Sequence, residues 1–128
     1  MHTKFRFALA VAVGAALGAA ATQGLHAQAK LKAYSVGELE ILDAAAEASA
    51  ITHARRTIEG MHGRPLFTSN GRVVQIEGAA APKTVALVEW DSLDDAIAFY
   101  KSKAWADLAP QRDKAIKTIR RYAIEVEK

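Results

Sequence analysis

The chain has 128 residues, of which 51% are hydrophobic, with 17 Lys and Arg against 14 Asp and Glu for a net charge of +3. It contains no cysteine, which excludes disulfides, thiol catalysis, iron–sulfur clusters and covalent haem attachment. Without Lys4 and Arg6 the balance falls to 15 basic against 14 acidic residues, interspersed, so no clustered basic face points to nucleic acid.

Lys4 and Arg6 precede an apolar, small-residue run from Phe7 to Ala21, and Ala27-Gln28-Ala29 supplies a small-x-small cleavage pattern. That order is the layout of a secretory signal peptide. The run of 15 residues is shorter than the roughly 20 needed to cross a bilayer core. The expectation is a cleaved signal over residues 1–29 and a single mature domain over 30–128, periplasmic or secreted. No later apolar run reaches spanning length, so no membrane association is expected after cleavage.

Tyr34 to Leu42 reads as a strand, and Asp43 as the N-cap of an Ala-rich helix running to about Glu59. Ile51, Ala54, Ile58 and Met61 form one apolar stripe at steps of three and four. Gly60 and Gly63 bracket the exit, where a left-handed residue is commonly required. Arg64–Ser69 and Arg72–Glu77 read as short extended segments joined by an Asn70-Gly71 turn. Lys83–Trp90 is the clearest strand. Ser92 and Asp95 open the next helix as a capping box, with Leu93, Ala96 or Ile97, Tyr100 and Ala104 continuing its buried face. Ser102 caps a helical segment from about Lys103 to Ile116, interrupted or bent at Pro110. Tyr122, Ile124 and Val126 then alternate with Arg121, Ala123 and Glu125 in a half-exposed strand.

The order β-α-β-β-α-β predicts an α+β fold, a ferredoxin-like plait with both helices on one face of a four-stranded antiparallel sheet. In Lys83–Trp90, Val85 and Leu87 point one way and Ala86, Val88 and Trp90 the other, so neither face is polar. A sheet with helices on one side only should have a polar second face. A second copy across a two-fold axis is the economical cover, and a homodimer through the sheet is expected.

The segment Val85-Ala86-Leu87-Val88-Glu89-Trp90-Asp91-Ser92-Leu93-Asp94-Asp95-Ala96, followed by Phe99-Tyr100-Lys101-Ser102, Trp105 and Arg112, resembles the domain-of-unknown-function family numbered 1330. Asp43, Gly63-Arg64 and the last strand also fall at matching places, and the resemblance covers nearly all of Ala33 to Glu127. It implies a dimeric α/β barrel of two ferredoxin-like protomers and no established reaction. Families with a similar barrel include cofactor-free monooxygenases, muconolactone isomerases and haem-degrading enzymes. The chain departs from many relatives in having Glu47 and Ala50 where they carry aromatics, and His62-Gly63 where they carry Gly-Gly.

Few residues suggest chemistry. Glu89, on a strand expected to be buried, needs a partner. Arg112 is the expected one, as a structural ion pair or at a ligand site. His62 is a candidate general base, against a plain polar residue at a helix end. His53 is nine residues away and would point to the opposite side of the helix. Trp90, Tyr100 and Trp105 are core or interface aromatics whose polar tips could orient a small apolar ligand. Neither histidine lies in a ligand-dense pattern, so no metal or other cofactor is expected. Two functions stay open. One is a binding or accessory domain holding a small, partly apolar molecule between helix and sheet. The other is a cofactor-free, monooxygenase- or isomerase-like enzyme with Glu89 or His62 as proton acceptor and Arg112 polarising an oxygen.

Overall fold

The computed structural model describes residues 31–66 and 71–127. The expected signal at 1–29, and the Asn70 half of the Asn70-Gly71 turn, lie outside the described residues. Four strands, β1 (Lys32–Ile41), β2 (Arg64–Leu66), β3 (Thr84–Trp90) and β4 (Ile116–Val126), form one sheet in the order β2-β3-β1-β4. All three neighbouring pairs are antiparallel, which is the ferredoxin-like plait. Four helices accompany it: α1 (Ala44–Gly60), α2 (Leu93–Tyr100), α3 (Lys103–Asp107) and α4 (Ala109–Ala115).

Short-range chemistry starts the helices. Asp43 accepts hydrogen bonds from the Ala45 and Ala46 N–H groups at 2.9 and 3.1 Å, filling two of the orphan donors at the head of α1. The Ser92 and Ser102 hydroxyls do the same for Asp95 N–H and Trp105 N–H, both at 3.2 Å. Of the expected interruption or bend at Pro110, the structure has the interruption: the helix breaks at Leu108 and Pro110 lies in the first turn of α4, where a missing N–H costs nothing.

The exit of α1 differs from expectation. Gly63 N–H donates to Ile58 O at 2.9 Å and His62 N–H to Glu59 O at 3.1 Å, the paired bonds of a Schellman motif. The left-handed residue is His62, at φ 67°, rather than either glycine. Gly63 is required for another reason: a Cβ there would stand 2.4 Å from Ile58 Cγ2 and 2.8 Å from the Trp90 ring.

Residues opposite one another in an antiparallel pair share a face. Ala33 faces Trp90 and Ser35 faces Val88, and this side packs on Ile58 of α1 and on Ala96 and Phe99 of α2 to make the core. The other side carries Tyr34, Val36 and Glu38 of β1, Val85, Leu87 and Glu89 of β3, and Arg120, Tyr122 and Ile124 of β4. No helix among the described residues covers it, and Tyr122 and Ile124 are 47% and 55% exposed. The final strand therefore turns its apolar half outward, while Ala123 packs on the core. Arg121 shares the helix side, opposite Gly37.

The expected extended segment Arg72–Glu77 is not a strand. It pairs with nothing in the sheet, and Ile76 is 91% exposed. Gln75 organises the stretch by donating to the Glu77 and Gly78 carbonyls and accepting from Ala81 N–H at 2.7 Å.

Candidate functional site

A cavity of about 320 Å³ lies between α1 and the helix side of the sheet. The apolar stripe of α1 supplies one wall with Ala50, Ala54 and Ile58, and Leu39, Ala86 and Val88 supply the opposite one. Such a stripe normally closes on the sheet. Here alanines face a β3 whose inward residues include Thr84 and Ala86, so the two layers leave space. The size is at the lower end of small-molecule sites, and apolar walls with a few convergent polar groups are their usual composition.

Tyr100, Trp105, Arg112 and Arg121 close one side. Tyr100 is held by a chain of hydrogen bonds from the core: Trp90 Nε1–H donates to Ser35 Oγ at 3.0 Å, and Ser35 Oγ lies 2.8 Å from the Tyr100 hydroxyl. Ser35 is buried and bonds to no other side chain. Its own proton is satisfied when it donates to Tyr100, which leaves the phenol proton free to serve a ligand. Arg112 lies with its guanidinium carbon 4.2 Å from the centroid of the Trp105 ring and donates to Trp105 O at 3.3 Å. Arg121 stands 5.2 Å from the centroids of both Tyr100 and Trp105. Trp105 and the two arginines also border an outer depression of about 500 Å³, lined further by Leu42, Asp113, Ile116, Lys117 and Thr118.

Of the residues singled out in sequence, the cavity brings together Tyr100, Trp105 and Arg112. Trp90 is sealed in the core and does not line this cavity. Nor does His62, whose exposed ring sits on the Schellman turn. Glu89 lies on the uncovered face of the sheet, and the expected Glu89–Arg112 pair does not form. Glu89 instead bonds Lys32 Nζ and Arg64 Nε, each at 2.8 Å, and the Tyr34 hydroxyl at 3.0 Å. Register is the cause: Tyr34 and Arg64 are its direct neighbours on β1 and β2. Lys32, Arg64 and Tyr34, in that order of effect, hold its carboxyl at about 2. A carboxylate so stabilised is a poor proton acceptor at neutral pH. The same bond raises the Tyr34 phenol above its ordinary value.

Sequence reasoning missed Arg121. Arg120-Arg121 reads as two solvated cations on a half-exposed strand, and strand parity separates them. Arg120 turns to the uncovered face and clasps Glu38, with Nη2 donating to Oε1 at 3.0 Å, while Arg121 turns into the cavity. The signal was present in the alternation, since Arg121 shares parity with Ala123 rather than with Tyr122 and Ile124.

The family model described as Domain of unknown function (DUF1330) matches residues 32–125. Two solved structures are similar in fold. One is a protein of unknown function from Rhodopseudomonas palustris, 12% identical, with a TM-score of 0.60 over 77% of this chain and 85% of that one. The methylated form of that protein is 12% identical, with a TM-score of 0.59 over 77% and 83% of the two chains. At such identity the likeness concerns the fold alone. No curated protein matches the chain.

Proposed function

The chain belongs to the DUF1330 family, and from that premise we propose that it is an exported small-molecule-binding domain, holding a compact, partly apolar molecule between α1 and the sheet. The cavity carries this reading: about 320 Å³ of apolar-walled space with Tyr100, Arg112 and Arg121 converging on one side. Glu89 and His62, the candidate proton acceptors, line no part of it. A binding role therefore has more support than a reaction. A thermal-shift screen of small amphipathic compounds tests it, with Ala54→Phe as the control that fills the space. Binders should stabilise the native protein and have no effect on Ala54→Phe. Compounds that stabilise both equally would place the site elsewhere.

Export rests on the signal-like layout of residues 1–29, and intact-mass measurement of protein recovered from its native host tests it. A mass beginning near Lys30 is expected, and one that includes Met1–Ala29 would overturn cleavage. A homodimer through the sheet is proposed from the uncovered apolar face, on which Tyr122 and Ile124 stand exposed.

A further inference from the structure

Arg112 and Arg121 reach Trp105 from different elements, α4 and β4, and neither faces a buried acid. Among the described residues Arg121 has no carboxylate partner; its neighbours are the Tyr100 and Trp105 rings and the bare backbone of Gly37. Arg112 has only Asp113, whose side chain is largely exposed, at 3.5 Å. Of the acids, Glu47 alone among the described residues lines the cavity, which Arg112 and Arg121 also border. Two guanidiniums sharing one indole repel each other, and a half-buried setting screens that repulsion less than bulk water does. Contact with the ring faces offsets part of it. An oxyanion between them would offset more, and the planar fork of arginine matches a carboxylate.

Gly37 is part of this arrangement. A Cβ there would lie 2.5 Å from Arg121 Nη1 and 2.9 Å from its Cζ, so the missing side chain is the space in which the guanidinium rests. The head of Arg121 thus lies against β1 at the cavity's edge instead of extending into water. The Tyr100 hydroxyl adds a third polar group on the same side. Away from these groups the lining turns apolar along Ala50, Ala54, Ile58 and Leu39.

We propose that the cavity is a receptor for an apolar carboxylic acid, with the carboxylate held by Arg112 and Arg121 and the hydrocarbon body lying against α1. The proposal rests on the reading of this cavity as a ligand site and adds the chemical class of the ligand.

Isothermal titration calorimetry on the full domain tests it with hexanoate and phenylpropanoate, their primary amides, and inorganic phosphate. The acids should bind at least about tenfold more tightly than the amides, since only the anion makes charge-assisted bonds to the arginines. Arg121→Met should reduce that preference several-fold, with Arg112 still present, and leave amide affinity unchanged. Gly37→Ala should do the same with Arg121 still present, because the new methyl displaces its head, and a native melting curve for this variant secures the comparison if Arg121→Met fails to fold. Amides that bind as well as acids, or a preference left undiminished in both variants, would overturn the carboxylate assignment and leave the cavity as a neutral apolar site. Phosphate binding as tightly as the acids would overturn the apolar class. Absence of binding by every probe would overturn the ligand-site reading together with this one.

Discussion

Position 62 holds a histidine in the left-handed conformation, which costs an L-residue roughly 1–2 kcal/mol and glycine almost nothing. His62→Gly should therefore stabilise the domain by about 0.5–1 kcal/mol, after the greater freedom of glycine in the unfolded chain is counted. Its neighbour behaves oppositely. Gly63→Ala should cost about 1–3 kcal/mol by overpacking, because the methyl would press on Ile58 and the Trp90 ring. Urea denaturation of the two variants checks both signs. Glu89 makes a pH prediction. Its folded pKa, about 2, lies below the ordinary 4.5, so the stability it brings is complete above the ordinary value and is lost as pH falls from 4.5 toward 2. Glu89→Gln should flatten that part of the stability–pH curve. Glu38, lowered by Arg120, titrates in the same direction and leaves some slope behind.

Among the elements, the α3–α4 break positions Arg112. Because Leu108 ends one helix and starts the next, Arg112 falls over the ring of Trp105 in the preceding helix. Arg112→Ala should cost about 1 kcal/mol, from the lost stacking and packing of its stem. Adding Glu89→Gln should give no rescue, with coupling under about 0.5 kcal/mol, since the two residues share no partner. A double-mutant cycle by chemical denaturation measures this. The elements themselves were largely legible because their signals are local: Asp43, Ser92 and Ser102 cap the helices they were expected to cap, and β3 reads as a strand from its own composition. The site was less legible because it depends on register. No local pattern places Arg64 beside Glu89 across 25 residues of sequence. The bulge between β1 and β4 near Glu38 and Leu39 also resets which residues pair along the last strand. Arg72–Glu77 was misread because alternation was present without a neighbouring strand to use it.

At the scale of the molecule, the sheet has one side packed by helices and one side that no helix among the described residues covers. The apolar residues of that bare side were legible in β3, where Val85 and Leu87 alternate with a core set that already faces the helices. Ile124→Lys should give a stable monomer, since the change puts a charge on the uncovered face, where Ile124 is 55% exposed, without touching the core. Size-exclusion chromatography with light scattering should find the parent protein at twice the chain mass and the variant at one. A parent monomer at micromolar concentration would remove the dimer. One further property follows from where the two tryptophans lie. Trp90 is 0% exposed and bonded to Ser35, whereas Trp105 is half-buried at the cavity with a guanidinium on its ring. The intrinsic fluorescence is therefore the sum of a core contribution and a cavity-edge contribution, joined through Tyr100. Acrylamide should quench only the Trp105 component in the native state. In Trp105→Phe the remaining emission should be blue-shifted and lost only on unfolding, so Trp90 reports the folded core and Trp105 the cavity edge without any added label.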